Sequence, residues 1–401
     1  MDTKVYEIIL PLLRSGIWGE EKFPFTCPAE VDWDEVYKEL RAQTVHYLHT
    51  NILRRVDEKN SIKYHQNTAV ALRSWIRIMQ AQQNLYALLQ KENIPFVILK
   101  GAAVDIYYPE PIYRCMGDID FIVKPEDFDR TAKCLEENGY ELIDANHARH
   151  YEYKKDNILL EMHHHFSVLN DTDSEIWQDN LIMNAIDHAS CETIYDFTFP
   201  MLPPLENGLV LLTHINQHME NGLGLRQIID WMLYVDREVT DDFWNTSLGP
   251  ATERIGLKTL AITVTKMCQI YLGLTKELEF MQEADVVLCN ELMEYIMEQG
   301  NFGRKRGNQG NTAIQTLGIN NIFSLWKILQ EKGLQNWTAT QTYPFLRPFA
   351  WIYQIGRYIH LGFKRKKPLK QLKDDYLMGK YQDDFFNRLG VTRYINKKES
   401  H

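Results

Sequence analysis

The segment Gly117-Asp118-Ile119-Asp120-Phe121-Ile122-Val123 constrains this chain more tightly than any other. Ile119, Phe121 and Val123 alternate with Asp118 and Asp120. Side chains on a strand alternate between faces, so the two carboxylates share one face and the three apolar side chains the other. Like charges this close repel, and the cost falls when a cation sits between them. Magnesium prefers carboxylate oxygens plus phosphate, which suits such a pair. A chain with this strand is expected to build a sheet with one buried face and to keep the aspartates at a cleft.

Two flanking stretches extend the pattern. Ile94-Pro95-Phe96-Val97-Ile98-Leu99 is a short run rich in β-branched and aromatic residues, and reads as a buried strand. Lys100-Gly101-Ala102-Ala103 follows, with Val104 to Tyr108 continuing as a helix. Glycine at such a bend lets backbone N–H groups approach a phosphate closely. Downstream, residues 157–166 read as another strand, with Glu161, His163 and His165 on one face and Leu160, Met162, His164 and Phe166 on the other. Placed beside the first, it sets Glu161 next to Asp118 and Asp120. Three carboxylates can hold two metal ions, one activating an acceptor hydroxyl and one steadying a triphosphate and its leaving pyrophosphate.

The series Lys100-Gly101, Arg114, Gly117-Asp118-Ile119-Asp120 and Glu161-Met162-His163 resembles the nucleotidyltransferase superfamily that shares the DNA polymerase β palm. More narrowly it is similar to a bacterial nucleotidyltransferase-like family with Leu-Lys-Gly and Arg-x-x-Gly-Asp-x-Asp signatures. The resemblance spans about residues 94–235. It implies that Asp118, Asp120 and Glu161 are catalytic and bind two magnesium or manganese ions. It implies that Lys100, Gly101, Ala102, Arg114 and Gly117 meet the substrate, a nucleoside triphosphate with ATP first among them. The acceptor is left open. One departure stands out: Ala102 occupies the place where the superfamily usually has serine or glycine, so Lys100 and Arg114 are expected to act as the phosphate's cationic partners. The departure also keeps a second reading open, an inactive nucleotide-binding or interaction module of the same fold.

Composition narrows the class. A chain of 401 residues, 45% hydrophobic and 24% charged, is long enough for two or three domains. The net charge of -10 argues against a general DNA-binding surface. Six scattered cysteines with no Cys-x-x-Cys pair suit a reducing compartment, and no apolar signal region follows Met1, so a cytoplasmic setting is expected.

The expected fold is α+β, with a small mixed sheet of nucleotidyltransferase type set between helical bundles. Its divisions are a helical subdomain over 1–93, the core over 94–202, a helical substrate-binding domain over 203–300 and a helical extension over 301–401. Helices are expected over 33–44, 45–56, 69–91, 205–220, 257–271, 284–297 and 313–334, and from 124 to a stop at Asn138-Gly139. Residues 151–157 form a hairpin with the Glu161 strand, and 194–202 add an edge strand.

Several polar residues carry two readings. His163 shares the Glu161 face and is a candidate substrate contact. His147, Arg149 and His150 lie just before the hairpin and His163, His164 and His165 just after Glu161, a histidine cluster of a kind that can bind zinc. Three neighbours on a strand cannot all reach one ion, so a dedicated zinc site is disfavoured. His214 and His218 share a helix face, but the intervening residues lack the glutamate of a metalloprotease motif, so they are packed histidines or, by the resemblance, site-facing. Arg226 and Asp230 either pair along one helix or serve the nucleotide. Residues 345–368 join aromatic side chains to Lys364-Arg365-Lys366-Lys367, a pattern that suits internal packing, peripheral membrane contact or a protein partner.

Overall fold

The computed structural model describes residues 3–145, 149–167, 172–219, 222–302, 339–364 and 381–391, with scattered positions between 326 and 337. Met1–Lys305 together with Gly390–His401 form one compact unit, and Arg306–Leu389 form a second. His147, Arg365-Lys366-Lys367 and nearly all of the helix expected over 313–334 lie outside the described residues.

The fold is α+β. In the first unit, helices α1 (Thr3–Trp18), α2 (Trp33–Ala42), α3 (Thr50–Val56) and α4 (Ser61–Lys91) precede the sheet. Helix α4 buries Ala71, Trp75, Ile78, Gln82, Leu85 and Leu89, a three-and-four spacing that turns one stripe inward. It begins eight residues before the apolar pattern because its first turns are polar and are pinned by Tyr64, whose hydroxyl donates to Asp57 at 2.7 Å.

A seven-stranded mixed sheet follows, in the order β3-β4-β5-β2-β1-β7-β6. The strands are β1 (Phe96–Ile98), β2 (Ile119–Val123), β3 (Glu141–Asp144), β4 (His150–Lys155), β5 (Ile158–His163), β6 (Ser190–Ile194) and β7 (Phe197–Met201). Helices α5 (Ala102–Asp105), α6 (Phe128–Glu137) and α7 (Asp173–Ala185) are interleaved with them. Strand β2 runs antiparallel to β1 and parallel to β5, with Asp120 opposite Glu161. The edge strand expected over 194–202 is instead a hairpin. Tyr195 at φ +52° turns the chain, so β6 takes the edge and β7 lies inside against β1. Strand β3 is largely exposed, so alternating burial gave no signal for it.

All five residues of β2 are buried. Phe121 packs edge-on against Phe96, while Ile122, on the aspartate face, joins a core with Val97, Ile182 of α7 and Val210 of the next helix. That helix, α8 (Pro204–Met219), and α9 (Leu225–Glu238) are buried over most of their lengths. The carboxylate face of β2 is therefore covered by helices at its Ile122 end, as expected for a sheet flanked on both sides. Two further helices, Lys258–Tyr271 and Val286–Gln299, pack beyond α9.

In the second unit, Ala350–Lys364 is helical, with Gln354 buried and the Tyr353 ring stacked on Trp337 at 4.9 Å. Phe345, Phe349 and Ile352 are exposed. Among the described residues no helix is long and apolar enough to cross a membrane, and none of the six cysteines is in a disulfide.

Candidate functional site

Register builds the site. The pairings Asp120↔Glu161 and Glu152↔Glu161 align three carboxylates across β2, β5 and β4. One step along, Ile122↔His163 and His150↔His163 align two imidazoles on the same face. Asp118 stands two residues before Asp120, at the open end of β2. The sheet thus presents a row of acids beside a row of histidines.

Lys100 supplies the nearest cation. Its Nζ lies 2.8 Å from Asp120 Oδ1, where it leaves the end of β1. Leu99, just before it, donates its N–H to the Asp120 carbonyl at 3.0 Å, which fixes this approach. His163 Nε2 meets the same Oδ1 at 3.3 Å and Glu161 Oε2 at 3.4 Å. His150 Nδ1 lies 3.7 Å from Glu161 Oε2.

The cluster carries a surplus of negative charge. Burial opposes ionisation of Asp120, but Lys100 and His163 outweigh it and hold that carboxyl well below the usual range. Asp118 is pushed up, first by repulsion from Asp120 and then by burial. Glu161 is pushed up by burial, with Asp120 adding to the effect against the pull of His163. Burial disfavours the charged form of Lys100, yet Asp120, Glu161 and Asp118 together raise its pKa. One lysine does not balance three acids.

Gly101 makes the bend that follows Lys100. Its φ of +56° with ψ -117° is a region open to glycine, and a Cβ there would sit 3.3 Å from Met116 Cε. The N–H groups of Ala103, Val104 and Asp105 donate to the carbonyls of Lys100 and Gly101. A phosphate at this bend would therefore draw on the N–H groups of Gly101 and Ala102. The Ala102 side chain is fully buried, so the place of the usual serine is a packing position here. Helix α5 is four residues long, shorter than the expected continuation to Tyr108, because Tyr107 and Tyr108 turn away into the core.

Arg114 has different company. Its Nε and Nη2 donate to the two oxygens of Asp230, each at 2.8 Å, and its Nη1 donates to Asp105 at 3.2 Å. Tyr108 donates its hydroxyl to Asp230 at 2.7 Å, and Trp75 donates its Nε1–H to Asp105 at 2.9 Å. The guanidinium is buried, and the pull of Asp230 outweighs the cost of burying its charge. Through this cluster α4, α5 and α9 grip the loop that delivers Gly117 and Asp118.

Arg226 does not pair with Asp230, the partner that its helix face offered. Its Nη1 donates to the Cys115 carbonyl at 2.8 Å, while its Nε is buried and carries no hydrogen bond among the described residues. Its charge, like that of Lys100, works against the upward push that Asp120 and burial give Asp118. Gly117 is exposed and has open space where a Cβ would stand. His214 and His218 face each other with Nε2 atoms 2.9 Å apart. Burial and then the Lys100 charge hold both well below the usual imidazole range, His218 at about 3, so both are neutral.

Glu152 joins the site with no role foreseen in the sequence, and His150, read there only as part of a histidine cluster, stands in β4 beside it. The signal was present. Asp156 and Asn157 both have positive φ, +51° and +58°, as a two-residue type I′ turn requires. Such a turn pairs Lys155 with Ile158, and counting back sets His150 opposite His163.

A family described as uncharacterised nucleotidyltransferase matches residues 29–273 of the chain. No curated protein and no solved structure matches it.

Proposed function

The chain belongs to the family of uncharacterised nucleotidyltransferases, and from that premise we propose that it transfers a nucleoside monophosphate from a nucleoside triphosphate, ATP first among them, to an acceptor bearing a hydroxyl or phosphate. The observation that carries this reading is the placement of Asp120 opposite Glu161 on parallel neighbouring strands, with Asp118 two residues away and the Lys100-Gly101 bend alongside. The acceptor oxygen would bond to the α-phosphorus as the bridge to the β-phosphate breaks, and pyrophosphate would leave with that electron pair.

The donor set fits divalent cations. Asp118 and Glu161 both resist ionisation without more positive charge than Lys100 and His163 supply. Asp118 and Asp120 would hold the ions, magnesium or manganese, with Glu161 on the acceptor side. When bound, such ions ease deprotonation of the acceptor hydroxyl and neutralise the triphosphate. Lys100 would turn from Asp120 to the phosphates, and the N–H groups of Gly101 and Ala102 would cradle one of them. Arg226, with its free Nε, would be the second phosphate cation. Arg114 and Asp230 would position the Asp118 loop and leave phosphate contact to Lys100 and Arg226. Neutral His214 would line the substrate side together with His163, and open Gly117 would admit the substrate past the loop. Residues 94–202 would carry the chemistry and 203–300 the substrate wall, with 1–93 as helical support.

Asp120→Asn tests the reading. Its expected result is a fall of at least ~100-fold in divalent-dependent pyrophosphate release, the scale of losing one preorganised group at a reacting centre. Full turnover by the variant rules the mechanism out. Calorimetry with nucleotide and magnesium separates the other reading: tight binding by the wild type without pyrophosphate release would make this a binding module, which the Lys100–Asp120 ion pair also suits.

A further inference from the structure

The acid row is not the whole of the polar face. His150, Glu161 and His163 each offer one ligand atom, and those atoms all lie within 4.8 Å of one another. Both histidines are more than nine-tenths buried, at 6% and 4% exposure. Their contacts with Glu161 Oε2 are 3.7 and 3.4 Å. The shorter matches the spacing of two ligands on one ion, and the set as a whole, spread over up to 4.8 Å, would draw in on binding. Metal–ligand bonds of about 2.0–2.2 Å in a tetrahedron put neighbouring ligand atoms roughly 3.3–3.6 Å apart.

We infer that His150, Glu161 and His163 form a binding site for a transition-metal dication of the zinc type, one strand out from the paired aspartates. The donor chemistry selects the ion. Imidazole nitrogen is a good ligand for zinc and its neighbours, whereas magnesium takes oxygen and keeps its waters. The β4–β5 hairpin holds the two imidazoles opposite each other, with ring centroids 4.8 Å apart, and Glu161 lies one row away on the same face. Three protein ligands leave a fourth position for water or substrate. Glu161 would be shared between this site and the aspartates. His163 Nε2 also meets Asp120, so filling the site would loosen that contact and leave Asp120 to Lys100 and the substrate's ions.

The inference deepens the transferase reading by giving Glu161 a second set of partners. It is measured without turnover, so the two readings fail separately. The full chain is titrated by calorimetry with zinc alone and with magnesium alone. Zinc is expected to bind at least ~100-fold more tightly than magnesium, and His150→Gln to weaken zinc by at least the ~10–100-fold that even a partner outside the ligand shell contributes. X-ray absorption at the zinc edge of the loaded wild type is expected to show two imidazoles. His214→Gln, which breaks the His214–His218 pair, is expected to leave that spectrum unchanged. Zinc binding that is unaltered by both His150→Gln and His163→Gln overturns the assignment, as does equal affinity for magnesium. If those variants do not fold, the spectra decide: two imidazoles retained in His214→Gln support the site, and their loss there, or their absence in the wild type, overturns it. A variant Asp120→Asn that keeps full turnover would sink the transferase reading and leave this one standing.

Discussion

Two clusters in this protein gather aspartates around a single strong cation, and they do opposite things with the charge. Around Arg114, the planar guanidinium forks onto both oxygens of Asp230 and reaches Asp105, while Tyr108 and Trp75 occupy further acceptor positions. All three charged side chains are within 4% exposure. Around Lys100, a point-like ammonium reaches one oxygen of Asp120, and Asp118 and Glu161 stay partly exposed with their pKa values pushed up. The first cluster is closed by bidentate geometry that lysine cannot reproduce. The second carries more acid than base and keeps an open side. Saturation marks a structural clamp, and a standing surplus of negative charge marks a place for a cationic or metal-bound ligand.

Removing the clamp's cation should have the largest effect on stability. Arg114→Ala leaves Asp105 and Asp230 buried together with no counter-charge. Breaking a buried pair by removing one partner costs about 3–5 kcal/mol. Chemical denaturation is expected to show a loss of that size, with Arg114→Lys in between because an ammonium cannot span both carboxylates. By contrast Asp120→Asn is expected to spare stability and strike turnover. If Arg114→Ala melts like the wild type but fails in turnover, the two clusters have been assigned the wrong way round.

A smaller effect sharpens the same comparison through pH. Burial pushes Asp105 up to about 7 from an ordinary 3.8, against the opposing pull of Arg114. The folded state therefore keeps a proton that the unfolded chain releases across that interval. The stability this contributes is complete below about pH 4 and is lost as pH rises through 7. The slope is at most about 1.4 kcal/mol per unit. Asp105→Asn cannot ionise, so its stability relative to wild type should climb between pH 4 and pH 8. A flat difference over that range would mean that Arg114 already holds Asp105 ionised.

Legibility in the sequence followed the same divide. The open face could be read because strand alternation displays it: Asp118 and Asp120 on one side, Glu161 and His163 two apart on the next strand. The α+β class and the long helices could be read from periodicity. The clamp could not, since Asp105, Arg114 and Asp230 come from α5, a loop and α9, and no local pattern joins them. Arg226 and Asp230 illustrate the point. Their four-residue spacing suggested a pair, but tertiary packing gave Asp230 to Arg114 and Arg226 to the Cys115 carbonyl. Likewise β6 and β7 look like one edge strand until Tyr195 takes a left-handed turn that a tyrosine does not advertise.

The smallest expected effect falls on the hairpin that sets the register of the open face. Asn157 sits at φ +58°, a conformation that asparagine tolerates and alanine disfavours by about 1–2 kcal/mol. Asn157→Ala is expected to lower stability by roughly 1 kcal/mol, and Asn157→Gly to change it by a few tenths, since glycine is favoured there in a type I′ turn but loses more backbone entropy on folding. Neither should disturb zinc affinity or turnover, because six residue pairs along β4 and β5 hold His150 opposite His163 once the turn has formed. A slip of one residue would carry His150 to the far face while leaving Asp120 and the Arg114 clamp untouched. Loss of zinc affinity in Asn157→Ala, with the clamp's pH behaviour intact, would therefore show that the turn, rather than the ladder, holds the imidazole row in place.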